Sequence, residues 1–398
     1  MHDGNTGRYK VIRTLALISA GVALLAAQQP CEPSKTATTE LGTRSFVQDT
    51  FPVSPDSTVY SPDPLLIAVK WIRAQVRMDK PGDGLWRMDV RDQQFRPVDT
   101  ILPTDFSNQA KFKWTPRIYT PGFFLDIRNA GPQNIPQFAV LQYIVMPKQA
   151  RSTYYSLKVP ANPDWQYTDQ LKTDDTDNLD RIRMADAVGL FFSNVPGRGA
   201  WSCSGVLVAA DLFLTNWHCG GPTGTRDEDM WTPEIQEDAF IDLSWDGDRL
   251  SRELRVVGVP NQSKALDFAL LRVQALDRVP LPIPATIRLS PPKMNEPVVL
   301  IHHPDSDQKA ISACNVANVN HAGWLQPGQP TEVTYNCDTE GGSSGAPVFG
   351  RGAVVALHHL GFTYGTNCTS DMVNKGIKIS EIVSALPESL KNELRIVP

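Results

Sequence analysis

Three short segments carry the residue types that acyl transfer needs. That chemistry takes a hydroxyl nucleophile, a base for its proton, a carboxylate to orient the base, and backbone N–H donors aimed at a developing oxyanion. Ser344 lies in Gly341-Gly342-Ser343-Ser344-Gly345-Ala346-Pro347. Glycines there let the backbone turn sharply, and Pro347 ends the turn. His218 lies in Leu214-Thr215-Asn216-Trp217-His218-Cys219, just past an apolar run that reads as a buried strand. Asp267 heads Leu266-Asp267-Phe268-Ala269-Leu270-Leu271, and an acid at the head of an apolar strand calls for a partner. Each segment alone has a plainer reading, a Gly/Ser loop or a surface acid at a strand start.

The elements that must position these residues read as strands. Residues 183–398 open with AVGLFF, SGVLV and LFLTNW, and continue with FALLRV, PVVLIHH, EVTYNC, APVFG and AVVALHH. Short Val/Ile/Phe-rich runs between turn residues favour an all-β domain. The stretch ISEIVSALPESLKNEL reads as helical, with Pro387 suited to the first turn of a final helix. A bridge between Cys203 and Cys219 would close a loop of about 17 residues, worth roughly 3 kcal/mol, and tie down the chain beside His218.

Taken together, TNWHC, LDFALLRV and GSSGAP resemble the histidine, aspartate and serine motifs of the chymotrypsin-like (trypsin-type) serine peptidases, in the same chain order. The resemblance covers about 183–398. It implies two six-stranded antiparallel barrels with the active site in the cleft between them. It also implies that Ser344 is the nucleophile, His218 the general base and acid, and Asp267 the group that orients His218. The N–H groups of Gly342 and Ser344 would form the oxyanion hole. Ser343 stands where animal members carry an Asp that receives a newly cut N-terminal amine, so the chain looks more like bacterial members, including the glutamyl endopeptidases. The site is therefore expected to form without a specific new N-terminus.

Cues for the substrate pocket conflict. Asp338 sits where trypsin-like members place the acid that binds Lys or Arg. Thr339 and His358 match positions that bind a Glu side chain in glutamyl endopeptidases. An acid repels a P1 carboxylate and a charged His attracts it; the balance leans towards an acidic P1. His358 to Gly361 is expected to run beside the substrate as an edge strand, with Gly361 leaving room for side chains. Cys314 and Cys337 are the expected second bridge. Cys368 is then unpaired, or pairs with Cys31 or Cys337.

Competing chemistries fare less well. Gly341-x-Ser343-x-Gly345 fits the nucleophile elbow of α/β-hydrolases, but no acid lies between Ser343 and His359 and no His follows His359. His302 and His303 are strand neighbours that point to opposite faces, so a shared metal with His321 is not expected. No cofactor is expected. The alternative to an active enzyme is an inactive binding module on a peptidase scaffold.

The rest of the chain frames this domain. Arg8, Lys10 and Arg13 precede the apolar run 14–27, which reads as a secretory signal peptide over 1–27, too short for a comfortable membrane span. Residues 28–64, rich in Thr, Ser, Pro and Gln, read as a flexible linker. Residues 65–160 read as a small β-sandwich-like domain, an accessory domain or propeptide with no His, no Cys and no chemical constellation. Residues 161–182 are polar and acidic and read as a second linker. The net charge of -5 and the lack of any Lys/Arg cluster argue against a nucleic-acid partner. The expected partners are peptide or protein substrates outside the cytoplasm, extracellular or periplasmic. No stable membrane anchor is expected, and no feature sets an oligomeric state.

Overall fold

The computed structural model describes residues 69–397 apart from 107–111, 131–135, 148–164, 196–197, 247–251, 277–279, 324–325 and 362–373, together with three short strands before residue 69. The expected signal peptide, the strand-like run 153–159, Cys31 and Cys368 lie outside these residues.

Among the described residues, nine strands lie in the N-terminal part: β1 (Phe46–Val47), β2 (Phe51–Pro52), β3 (Thr58–Tyr60), β4 (Val69–Lys80), β5 (Arg87–Asp92), β6 (Pro97–Ile101), β7 (Phe112–Trp114), β8 (Phe123–Arg128) and β9 (Gln137–Pro147). They form two sheets, β1-β9-β4-β7 with β2 on β9, and β3-β8-β5-β6. Ile72, Ala74 and Val76 of β4 meet Met88, Val90, Leu125 and Phe138 in one buried core, as a sandwich requires. Part of the stretch expected as linker, 28–64, therefore belongs to the sandwich. Its Phe, Val and Tyr residues pair at sheet edges, where the neighbouring prolines are tolerated.

The stretch expected as a second linker is also ordered where it is described. It contains β10 (Trp165–Tyr167), which pairs with a barrel strand, and α1 (Thr176–Asp186), capped by the Asp175 side chain on the Asp177 N–H. Acidic Asp175 and Asp177 at the helix start suit the positive end of its dipole. Their helix-start role was hidden within an acidic composition.

The first barrel is closed, in the order β11-β12-β13-β16-β15-β14. Its strands are β11 (Val188–Val195), β12 (Gly199–Ala209), β13 (Leu212–Thr215), β14 (Phe240–Asp242), β15 (Glu253–Ser263) and β16 (Phe268–Ala275), with the short helix α2 (Pro233–Asp238) before β14. After β17 (Ile287–Arg288), the second barrel uses β18 (Pro297–His302), β19 (Ala310–His321), β20 (Glu332–Tyr335), β21 (Pro347–Gly350), β22 (Ala353–Leu360) and β23 (Asn374–Lys378). These six also close, because β21 pairs with both β18 and β22. The chain ends in α3 (Ile379–Ala385), α4 (Glu388–Lys391) with Pro387 as its N-cap, and β24 (Ile396–Val397). This is the expected double barrel with C-terminal helices, preceded by a β-sandwich. No described helix is long and apolar enough to cross a membrane.

The sandwich is docked on the first barrel through the other face of β4. Successive side chains alternate, so Trp71, Arg73 and Gln75 point away from the sandwich core. Trp71 meets Trp245 edge-on at 5.5 Å. Arg73 pairs with Glu253 at 2.5 Å and lies over Phe240. Gln75 donates to Asp238 at 2.9 Å. Arg117 adds an ion pair with Asp242 and donates to the Ser244 carbonyl. Both arginines are buried, so their charges are tolerated only because carboxylates of the other domain meet them. Arg117→Ala strands a buried Asp242 and is expected to cost about 3–5 kcal/mol, read as a lower midpoint in urea denaturation. A change within 0.5 kcal/mol, the scale of an ordinary surface substitution, would count against a buried interface.

Candidate active site

His218 sits in a 3-10 turn, Trp217–Gly220, directly after β13. Two buried indoles clamp that turn: Trp201 donates to the Cys219 carbonyl and Trp231 to the Trp217 carbonyl, both at 2.8 Å. The Cys203–Cys219 disulfide ties the turn to β12. Cys314–Cys337 likewise joins β19 to the segment before the serine loop. Both expected bridges are present, so Cys337 is not available to Cys368.

Asp267 stands one residue before β16 with φ at +41°, a left-handed backbone that a non-glycine residue adopts at a cost of about 1–3 kcal/mol. The Asn216 side chain holds this backbone by donating to the Asp267 carbonyl at 2.8 Å. The carboxylate then reaches His218 twice. Oδ2 lies 2.7 Å from His218 Nδ1, and Oδ1 accepts the His218 backbone N–H at 3.1 Å. Oδ2 also lies 3.3 Å from His359 Nδ1 on β22. Burial alone would raise the Asp267 pKa. The facing His218 and His359 overcome it and hold the carboxyl well below its usual range.

The serine loop is fixed between the two barrels. The Ser344 carbonyl accepts the Ser204 N–H of β12 at 2.7 Å, and the Gly345 N–H donates to the His358 carbonyl of β22 at 2.8 Å. Gly345 has φ +83°, and a Cβ there would stand 2.2 Å from the Ser204 oxygen and 2.4 Å from Thr215 Oγ1. That close approach brings the Ser344 loop against Thr215 and Asn216, the residues that lead into the His218 turn. Gly342 has φ +90° and gives its carbonyl to Ser204 Oγ at 2.8 Å. Among the described residues, the N–H groups of Gly342 and Ser344 donate to no protein acceptor.

Ser343 has a role of its own. Its Oγ lies 2.7 Å from His302 Nδ1 and accepts the Glu340 N–H at 3.0 Å. The loop is thus braced from within its own domain. His302 is buried, and burial pushes its pKa well below the usual value, so it is a neutral partner. His303 contacts the Asp307 carbonyl instead. The two neighbours serve separate structural contacts, as the alternation of a strand dictates.

The residues expected to contact substrate gather at one end of the second barrel. Thr339 Oγ1 accepts from Asn374 Nδ2 at 2.8 Å, and the same amide donates to the Cys337 carbonyl. The Asp338 carbonyl accepts from Ser312 Oγ at 3.0 Å. His358, on the strand beside Asn374, has Nδ1 2.7 Å from the Tyr335 hydroxyl. Gly361 follows directly on the end of β22. Asn374, Tyr335 and Asn216 escaped the sequence reading. Only Asn216 carried a signal, by standing two residues before the histidine.

The two closed barrels match a chymotrypsin-like double-barrel fold. Residues 203–357 match the model of the trypsin-like peptidase domain. A curated relative, secreted RxLR effector protein 73 of Plasmopara viticola, is 29% identical over 178 residues, which cover 41% of this chain and 42% of that protein. The chain thus spans less than half the length of this relative. Among solved structures, the serine endoprotease of Yersinia pestis is similar at 15% identity and a TM-score of 0.38, covering 56% of this chain and 69% of the other. An inactive form of Rv3671c from M. tuberculosis is similar at 17% identity and a TM-score of 0.35, covering 49% and 89%.

The buried histidines set a pH dependence of stability. Burial lowers His303 and His358 to about 3. From about 6.5 down to that value the unfolded chain binds protons that the folded chain refuses, so their neutral burial is harmless above 6.5 and costs stability as pH falls. His359 behaves oppositely. Burial would lower its pKa, but Asp267 and Glu332 raise it to about 9, so its contribution is full below about 6.5 and is lost as pH rises through 9. The thermal midpoint is expected to peak near neutral pH and to fall at both pH 5 and pH 9.5, with His303 and His358 each costing on the order of 2 kcal/mol at pH 5. A midpoint flat from pH 5 to 9.5 would contradict these environments.

Proposed function

We propose that the chain is a secreted serine endopeptidase that hydrolyses peptide bonds through Ser344, His218 and Asp267. The observation that carries this reading is the pair of contacts from Asp267 to His218, beside which the Gly345 backbone abuts Thr215 and Asn216, the residues that lead into the His218 turn. Ser344 Oγ attacks the scissile carbonyl while His218 Nε2 takes its proton. His218 returns that proton to the leaving amine, and an acyl-enzyme forms on Ser344. Water activated by His218 then releases the acyl group and restores the hydroxyl. Asp267 fixes the His218 tautomer and stabilises the imidazolium. The N–H groups of Gly342 and Ser344 receive the oxyanion, and being unengaged by protein acceptors they suit that task. The two disulfides accord with an oxidising compartment, and the 1–27 leader would deliver the chain there.

Activation without a new N-terminal amine also fits. His302 and the Glu340 N–H brace Ser343, the position where animal members recruit that amine. For the P1 side chain, His358 supplies a neutral hydrogen-bonding group. An acidic P1 preference therefore requires a proton to be taken up with the substrate, and it weakens as pH rises. Asp338 opposes it.

Labelling with a fluorophosphonate probe is expected to modify Ser344 in the parent chain, and equally in a chain whose N-terminus is blocked by a fusion. Ser344→Ala is expected to abolish labelling and to lower kcat by about 10⁶-fold. A folded parent chain that takes no probe would favour the binding module. In a P1-scanning peptide library, cleavage after Glu is expected to exceed cleavage after Lys or Arg at pH 6 and to decline by pH 8. Cleavage confined to Lys and Arg would overturn the acidic preference.

A further inference from the structure

Behind Asp267 runs a row of buried ionisable groups that the reaction scheme above does not use. β22 turns His358 and His359 to opposite faces, so that His358 meets Tyr335 while His359 enters the contact between the barrels. His359 lies between two carboxylates from different elements. Its Nδ1 is 3.3 Å from Asp267 Oδ2, and its Nε2 is 3.2 Å from Glu332 Oε1 on β20. His321, at the end of β19, lies 3.3 Å from the other Glu332 oxygen. His359 and Glu332 are fully buried, and His321 is partly so.

We propose that His359, backed by Glu332, is a positioning residue for the reaction at Ser344, fixing the Asp267 oxygen that receives His218. The proposal rests on the peptidase reading. A carboxylate with one partner can swing about its Cα–Cβ bond. Asp267 is held on Oδ2 by two imidazoles and on Oδ1 by a backbone N–H, which leaves it one orientation. Charge is balanced by the same arrangement. An imidazolium at His359 beside Asp267 alone would cancel the field that stabilises His218 when it takes the serine proton. Glu332 restores that field, because the His359–Glu332 pair is formally neutral and one net negative charge remains behind His218. The groups facing His359 are Asp267 from the head of β16, Glu332 from β20 and His218 across Asp267. His358 adjoins it on β22, and His321 lies behind Glu332. Strand β22 also gives its His358 carbonyl to Gly345, so one strand sets both the Asp267 carboxylate and the serine loop.

The test is His359→Gln in the full chain, followed by kcat and KM across pH and by low-field proton NMR. Gln can still donate to Asp267 but carries no charge and cannot span both acids. The expected result is a fall in kcat of about 10- to 100-fold with KM little changed. The acid limb of the kcat/KM profile should move upward by about one pH unit, because two unbalanced carboxylates then face His218. Adding Glu332→Gln to the same chain should return the limb towards its parental position while kcat stays low. In the parent chain two low-field Nδ1 protons are expected, one from His218 and one from His359, and the variant should lose one. An unshifted limb, or a single low-field proton in an active parent chain, would overturn the role of His359. A parent chain with both protons but no turnover would instead defeat the peptidase reading. Should the variants fail to fold, the parent spectrum alone still decides.

Discussion

One buried carboxylate sets the terms for the double-barrel half of the molecule. Asp267 has lost nearly all contact with water, and a lone carboxylate in that position is prohibitively costly. It is tolerable because two separate elements meet the carboxylate, the His218 turn after β13 and β22 from the second barrel, while the Asn216 amide holds the Asp267 backbone carbonyl. The two barrels are thereby joined beside the His218 turn and the serine loop. The left-handed backbone at Asp267 is the conformational cost of presenting the carboxylate there, and such strain gathers at functional sites. The glycines of the serine loop answer a complementary demand. Gly345 approaches β12 and the Thr215–Asn216 corner, and Gly342 approaches the His303–Ser306 backbone, more closely than a Cβ would allow.

A second use of the same physics joins the sandwich to the first barrel. β4 is buried on both faces, apolar towards the sandwich core and polar towards the barrel. Arg73 and Arg117 cross the boundary to Glu253 and Asp242, with tryptophans and Phe240 packed around their guanidinium planes. Arginine suits this, since its planar head stacks on aromatics while it pairs with an acid. Such an interface resembles a core more than a transient contact, and it lies on the β11–β14 side of the first barrel.

Much of this was legible in the sequence, for reasons that particular residues make clear. His218, Asp267 and Ser344 stand in three motifs that are specific when taken together, and both expected disulfides formed. The barrel strands announced themselves as Val/Ile/Phe-rich runs. What was hidden depended on long-range partners. Arg73 and Gln75 drew no notice within the β-rich stretch 65–160, because nothing local shows that Glu253 and Asp238 wait on another domain. β1 to β3 read as linker because two- and three-residue strands carry no periodicity. The acidic run before β11 concealed the α1 cap at Asp175. His359 read only as part of the strand expected beside the substrate, since its partners Asp267 and Glu332 are distant in sequence. His358 invited a reading as a positive charge, and its burial beside Tyr335 makes it neutral instead.

The central claim is spatial: hydroxyl, imidazole and carboxylate meet in one cleft with two N–H donors beside them. A crystal structure of the chain after reaction with a phosphonate inhibitor tests it directly. The account predicts phosphorus bonded to Ser344 Oγ and its oxygen about 2.7–3.1 Å from the Gly342 and Ser344 nitrogens, with His218 Nε2 within hydrogen-bond reach of the adduct. An adduct on another residue, or a Ser344 adduct in an ordered structure with His218 turned away and remote, would contradict it.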